Sequence, residues 1–584
     1  MASKVFFNGS LHTTPTVVSQ IDDEAMSPRN AASGNDLAIL GVSDGGEAGK
    51  RLKFGSPLEA ERALISGEGL KAIRKAFGPS SETGGPRTIT FVRVGAPTKS
   101  TLTLKDAGGA DAITLTASAH MSGLVGNQIK VKIDVGSDGG STRRVTTQYG
   151  NRFFAMDNLK RDLLTVRYTG ASTVGEVVVT NTSLTLRHGA TSPGSNATVL
   201  LFDNFPTIQQ LADRINAEPG FVAVADSKAA LLPTKNKLDG VTNGDVKIAA
   251  PGLMLTGNLQ AIIDWVNSSA EGLLDAARPA AATAIPAVVP FTYLSGGTYP
   301  AVTNSDWTNA IDELENADVQ WVAVATPLQA VHAALSAHCD FMSGPGQKER
   351  RAVVGGPKGT TIEGVKALAR SLNSDRVSYA FPATYDFDSD GQLVLTEGHM
   401  LAAQIAGMFA GVNPGTALTN KTIRVAGLEF DARVPADTDD LINNGVLVVA
   451  PSERGFRIVR SVSTWLQNDK FNRVEMSCGA AVDFTIRSVR NALQVIPGGK
   501  ANPRTMGRAA AITRSVLADL AREEPVGPGI LVGDANSPAF KDISVFIEGD
   551  RLGVSFQCSP VIPLNFVTVS MSLVPYEGRL TLGS

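Results

Sequence analysis

Cysteine is nearly absent: the 584 residues hold three, Cys339, Cys478 and Cys558. Odd in number, far apart and matching no zinc-ligand spacing, they set aside a disulfide framework and a zinc module. They point to ordinary buried thiols in a reducing compartment, with a bridge between copies left open. A basic excess is missing as well. Lys and Arg number 53 against 56 Asp and Glu, a formal charge of -3, which excludes a general binder of nucleic acid or of anionic membranes. Charged residues make up only 19% of the chain, below the usual share of about a quarter. No apolar run approaches the ~18 residues of a membrane span, and the opening MASKVFFNGS lacks the apolar core of a signal peptide. The expectation is a protein made and kept soluble in a cytoplasm.

What the chain has in quantity is Gly, 58 residues, and Pro, 30, which favour many turns and short elements over long helices. Its length allows about four domains with cores large enough to need no staples. Residues 1–28 carry short extended pieces, KVFF and TVVSQI, broken by Gly9 and Pro15; they cannot form a core by themselves. From Asp36, an apolar strand LAILG runs into a glycine loop. A stretch with Leu58, Arg62, Ile65 and Leu70 at helical spacing follows, and then a strand over Thr88 to Val94. Strand, helix, strand at this spacing is a βαβ unit of an α/β layer.

Residues 101–289 read differently, as short strands punctuated by glycine with helical spacing only at 207–220 and 257–278. This is a β-rich insertion divided near 205, with the Ala- and Pro-rich run 277–290 as its return linker. The α/β pattern then resumes with a helix capped by Ser305, the buried strand VQWVAVA, and two further helices around RRAVVGG. From 425 a last domain is expected: the hairpin GVLVVAPSERGFRIVRSVST, two helices, and two strands in ISVFIEGDRLGVSFQCS. The stripe Val474, Cys478, Ala481, Val482, Val489 and Leu493 marks the buried side of its first helix.

The fold class is therefore multidomain α+β and α/β. Its parts are an arm at 1–28, a layered α/β middle domain at 29–100 and 290–424, the outer β-rich insertion at 101–289, an α+β domain at 425–560, and a terminal arm at 561–584. In that last arm, FVTVSMSL places Val567, Val569, Met571 and Leu573 on one face and Thr568, Ser570 and Ser572 on the other, the period of a half-buried strand. Pro560 and Pro563 oppose a tight hairpin with the strand before it, because proline lacks the ladder donor.

Several motifs carry possible chemistry. Gly41-Val42-Ser43-Asp44-Gly45 matches a nucleophile elbow after a strand, but loop-like GEAGKRLKF stands where the helix is required. Gly49-Lys50 lacks the phosphate-loop spacing, and GGPKGTT at 355–361 departs from it too, so a plain βα turn is preferred there. Asp386, Asp388, Asp390, Gly391 and Glu397, with Leu393, satisfy the calcium-loop pattern of an EF-hand. Pro382 and the β-favouring SYAFPATY stand where the entering helix is required, and TYDFDSDGQLVLT reads better as a hairpin closed at residues 389–391. The six histidines form no ligand set; His332 and His338 lie six apart on one helix, on different faces. Arg487, Arg490, Arg504, Arg508 and Arg514 form a solvated helix face or a basic strip toward an acidic partner.

Taken together and in order, the arm with TTPTVVSQI, LAILGVSDGG, YLSGGTY with the SDW helix, the hairpin, the paired helices and the terminal FVTVSMSLVPYEG resemble the sheath proteins of contractile phage tails and related injection machines. The resemblance spans residues 1–95 and 290–584. It departs at the hairpin's second strand, where Val459-Arg460-Ser461-Val462-Ser463 replaces a Trp-Gly-Ala-Arg-Thr-like end. It implies a non-enzymatic structural subunit without a cofactor, many copies of which form a helical sleeve around a tail tube. The arms of neighbouring copies would complete a sheet in the last domain, with Val17, Val18, Ile21, Val567, Val569, Met571 and Leu573 at the interface and Arg487, Arg490, Arg504 and Arg508 facing the tube. The implied partners are other copies, the tube protein, and baseplate and tail terminator proteins, with no direct nucleic acid and no membrane insertion. The implied location is the virion tail, after assembly in a host cytoplasm. The alternatives are a serine hydrolase built on the Ser43 loop and a calcium-binding surface adhesin.

Overall fold

The computed structural model describes residues 5–7, 10–12, 36–576 except 236, 269–271 and 389, and residue 578. Its centre is a mixed eight-stranded sheet. In chain order the strands are Leu37–Gly41 (β1), Arg51–Phe54 (β2), Ile89–Arg93 (β3), Trp321–Val324 (β4), Arg351–Gly355 (β5), Val377–Phe381 (β6), Val446–Ser452 (β7) and Gly455–Ile458 (β8). They lie side by side as β8-β7-β6-β5-β4-β1-β3-β2. The six strands from β7 to β3 run parallel, and an antiparallel strand closes each edge. Every residue of β1, β3, β4, β5 and β6 is buried. That burial on both faces is why the stretches read as continuous apolar runs rather than alternating ones.

Helices cover both faces. On one lie Pro57–Leu64 (α1), Glu68–Phe77 (α2) and Gly398–Gly411 (α6), where Trp321 stacks on Phe409 at 4.3 Å. On the other lie Asn304–Asp312 (α3), Gln329–Ser343 (α4), Ile362–Leu372 (α5) and Ala436–Asn443 (α7). The single helix expected around 58–70 is two, because the chain turns at Ile65 (φ 65°) and at Gly67 (φ 111°), where a Cβ would come within 2.7 Å of Ser43 Cα. Thr303, not Ser305, caps α3, its hydroxyl accepting from the Asp306 amide in a reciprocal box. Helix α6 escaped the periodicity reading because GHMLAAQIAGMFAG is apolar nearly all round and almost wholly buried, which leaves no polar face to set a phase.

The boundary drawn at 425 is displaced, since β7 and β8, the expected hairpin, extend the middle sheet instead of opening a separate domain. The insertion also divides otherwise than at 205. One core gathers residues from 104–159 and 259–294, and a second, from 163 to 255, is nested within it; the helix Ile208–Asn216 packs with the strands on both sides of it. The helical spacing at 257–278 ends early, at Ser268, because Leu274–Ala277 pairs as a strand with Asp111–Ala117.

The C-terminal layer consists of Met476–Leu493 (α8) and Pro503–Leu520 (α9), followed by a hairpin of Phe540–Glu548 (β9) and Arg551–Cys558 (β10). Helix α8 buries more than the apolar stripe, because its other side carries charge into the middle sheet. Asp483 accepts from Arg351 Nε at 2.7 Å and Arg376 Nη1 at 2.6 Å. At the helix start, Arg460 pairs with the fully buried Glu475 at 2.6 Å. Gly479 makes room for Arg351, whose guanidinium passes within 2.2 Å of where a Cβ would stand. Burial alone would raise the Asp483 carboxyl, but Arg351 and Arg376 beside it hold it below the ordinary carboxylate range. Removing the carboxylate in Asp483→Ala takes the buried counter-charge from Arg351, which keeps only the Asp375 carbonyl, and from Arg376, which keeps a 4.0 Å contact to Asp375, and the expected loss is ~3–5 kcal/mol in urea denaturation of the unassembled chain. A loss below ~1 kcal/mol would contradict a buried clamp.

Both histidines of α4 are buried in the neutral form. His332 Nε2 donates to the Thr326 carbonyl, and His338 Nε2 accepts from Arg350 Nη1. Burial pushes each down to about 4, helped at His338 by the Arg350 charge. Between pH 6.5 and about 4 the unfolded chain therefore binds protons that the folded chain refuses, and stability falls as pH drops through that window. The expected loss is on the order of 3 kcal/mol per ring, and a His332→Gln, His338→Gln chain should show a flatter denaturation midpoint between pH 7 and pH 4.5.

Candidate assembly interface

The hairpin β9–β10 is a sheet of two strands, and no third strand pairs with it among the described residues. Two strands are marginal alone; this pair is held by β9 packing across α9. Cross-strand pairs Val545–Val554 and Ile547–Leu552 share one face, while Phe546 lies over Gly553 on the other, where a Cβ would meet the ring within 2.2 Å. Ile543 and Phe556 join the core formed by Ala481, Phe484, Val489, Val516 and Leu517 of the two helices. The outer edge of each strand keeps its ladder groups unpaired, a template for another strand.

Beyond β10 the chain stays attached for a few residues. The Val561 amide donates to the Ile530 carbonyl at 2.9 Å, and Asn565 Nδ2 donates to Glu475 Oε1 at 2.9 Å while its Oδ1 accepts from Thr419. Past Asn565 the expected strand forms no ladder. Val567, Val569, Met571 and Leu573 are 76%, 87%, 78% and 85% exposed, and Thr568, Ser570 and Ser572 are exposed too. The alternation is thus a half-buried pattern with nothing burying it among the described residues. Of the other arm, Val5–Phe7 pairs with Ser10–His12, and Val17, Val18 and Ile21 lie outside the described residues.

The five arginines separate. Arg504, Arg508 and Arg514 are exposed on α9. Arg487 and Arg490, expected on the solvated face, turn inward: Arg487 is 7% exposed, lies over the Phe484 ring and has its pKa lowered by burial, and Arg490 pairs with Glu349. Helical spacing could not show this, because α8 is buried on two sides.

The other candidate sites are occupied by the chain's own groups. Ser43 is fully buried, its hydroxyl donating to the Gly45 carbonyl at 2.7 Å, and a strand rather than a helix follows it. The amides of Lys358 and Gly359 in GGPKGTT donate to Glu397 and Glu429, each at 2.7 Å. The calcium pattern is a hairpin, Thr384–Phe387 with Leu393–Leu395. Within it Asp386 pairs with Lys75, Asp388 accepts from the amides of Asp390 and Gln392, and Glu397 is turned away to the Lys358 amide. No group of three or more potential metal ligands comes together among the described residues.

The model of the phage tail sheath protein central domain matches residues 300–464, the second part of the eight-stranded sheet with its helices. Among curated relatives, the tail sheath protein of Bacillus phage SP01 is 27% identical over 99% of this chain and 98% of its own length. A putative tail sheath protein of Enterococcus phage phiEF24C is 26% identical over 96% of each. Among solved structures, a sheath tail protein from Listeria innocua superposes with a TM-score of 0.55 at 15% identity, over 91% of this chain and 93% of that one. One from Desulfitobacterium hafniense does so with a TM-score of 0.51 at 13% identity, over 94% and 100%. The chain is thus similar over nearly its whole length to phage tail sheath proteins, shares the fold of solved sheath tail proteins, and carries a match to the central domain of that family at residues 300–464.

Proposed function

We propose that this chain is the repeating subunit of a contractile tail sheath, a non-enzymatic structural protein that polymerises helically around a tail tube. The observation that carries the reading is the pairing of two incomplete parts in one chain. Among the described residues, the tail at 566–576 has strand patterning and no paired strand, and the hairpin β9–β10 has open edges and no third strand. β-augmentation between copies satisfies both, with backbone bonds supplying affinity and the alternating side chains supplying register. Head-to-tail contacts of this kind generate an open filament rather than a closed ring. The N-terminal segment with Val17, Val18 and Ile21 serves as the second exchanged strand.

Contraction follows when a trigger at the baseplate lets the subunit bodies rotate while the exchanged strands stay paired. A difference of a few kcal/mol between two packings, repeated over many copies, then drives the tube through a host envelope for genome ejection. Neither nucleotide nor cofactor enters this scheme. The tube-facing role falls to Arg504 and Arg508, with Arg514, since Arg487 and Arg490 are engaged inside the subunit. Sheath ends meet baseplate and tail terminator proteins, and assembly takes place in the host cytoplasm before the sheath becomes part of the virion tail.

Deleting 566–584 removes the unpaired tail but keeps Val561 and Asn565 in place. The intact chain should form hollow tubes in negative-stain images, and the truncated one should sediment as a soluble monomer. Tubes from the truncated chain indistinguishable from the intact ones would end this reading. Charge reversal at Arg504 and Arg508 should leave sheath polymerisation unchanged and abolish cosedimentation with tail tubes.

A further inference from the structure

Helix α8 meets the middle sheet with charge, and the charges there do not balance. Ala480, Asp483 and Arg487 recur at the three- and four-residue spacing of a single helix face. Together with Gln320 just before β4, and with Glu349 and Arg351 at the start of β5, they line a cavity of about 20 Å³. One water or one monatomic ion needs roughly 10–15 Å³ of such space, so a single particle fits. Arg487 is 7% exposed, and its Nε and Nη1 meet no hydrogen-bond acceptor among the described residues. It takes part in no ion pair among them either. An arginine does not shed its proton near neutral pH, so the charge stays where the fold has buried it. A buried cation without a counter-charge is costly, and the cavity lies beside it.

The carboxylates in the cavity wall are committed to other arginines. Glu349 gives both oxygens to Arg490, and Asp483 accepts from Arg351 and Arg376 at 2.7 and 2.6 Å. Gln320 is held at both ends of its amide, Nε2 donating to Asp318 at 2.9 Å and Oε1 accepting from the Asp36 amide at 3.1 Å. Four guanidinia, those of Arg351, Arg376, Arg487 and Arg490, thus share the two carboxylates of the wall. The next acid, Asp375, stands 4.0 Å from Arg376 and is shared with Arg473 at 3.4 Å. We infer that the cavity is a binding site for one halide-sized anion, chloride in ordinary solution, which accepts from Arg487 and ties α8 to the starts of β4 and β5. A water would meet the hydrogen-bonding need of Arg487 but leave the surplus positive charge; a chloride answers both. Sulfate and phosphate are too large for the space. The wall carboxylates, each neutralised by its own arginine, oppose the anion only weakly.

Two measurements on the full chain test this. In the first, the thermal midpoint of the unassembled chain is followed as sodium gluconate is replaced by sodium chloride at constant ionic strength. A ligand that binds only the folded chain raises the midpoint, here by at least ~1 °C, and bromide should act like chloride while sulfate should not. The rise should vanish in Arg487→Met, which removes the unpaired charge, and in Ala480→Val, which keeps the charge and fills the cavity. Arg487→Met takes away a buried cation without a partner, so it is expected to fold. No rise in the unsubstituted chain, or the same rise in the chain and in both variants, would overturn the site, the latter as a general salt effect. In the second, crystals of the full chain are soaked in sodium bromide, and an anomalous peak is expected beside Arg487 Nε. Density there without anomalous signal would be a water and would overturn the anion. A peak in the crystal with no chloride effect on the midpoint would mean binding at crystal concentration only, and would overturn it too.

Discussion

The carboxylate of Asp483, held between Arg351 and Arg376, decides how this subunit behaves as a body. Arg351 belongs to β5 at the middle of the parallel sheet, and Asp483 belongs to α8, which shares one core with α9 and the hairpin. One buried and one half-buried cation around a buried anion, with Arg460–Glu475 and Arg490–Glu349 beside them, leave the C-terminal layer no low-cost way to separate from the sheet. A load on the C-terminal layer is thus passed to the α/β core through these ion pairs.

That rigidity contrasts with the tail. Up to Asn565 the chain is anchored by the Val561 amide on the Ile530 carbonyl and by the Asn565 side chain; after it, among the described residues, the backbone joins no ladder and the aliphatic side chains are exposed. A soluble chain carries such a segment only at the risk of unwanted pairing. Here the segment is short and its outward residues are Thr and Ser, which limits stacking into larger sheets. A rigid body with a loose, strand-patterned end can change its orientation while keeping its neighbours.

The parallel core was legible because fully buried strands are continuous apolar runs, as in LAILG and WVAV. The β-rich character of 101–289 was legible from its glycine-punctuated short strands. The nesting of its two cores was not, because Leu163, Leu186, Ile208 and Leu255 are assembled by contacts that no local period encodes. Helix α6 was missed for want of a polar face, and Arg487 and Arg490 read as solvated because sequence shows neither the packing of Arg487 over Phe484 nor the partner of Arg490, Glu349, 141 positions away.

By itself, the order of residues determined that the tail is a strand with one apolar face, since side-chain alternation is a local property of extended backbone. It also favoured a hairpin over a calcium loop at 384–395, as the structure has it, and spoke against the elbow and phosphate-loop patterns. Only the tertiary structure decided that Ser43 faces a carbonyl, that Glu397 turns to the Lys358 amide, and that β7 belongs to the middle sheet. Each of these depends on distances between segments far apart in sequence, which packing sets and periodicity does not.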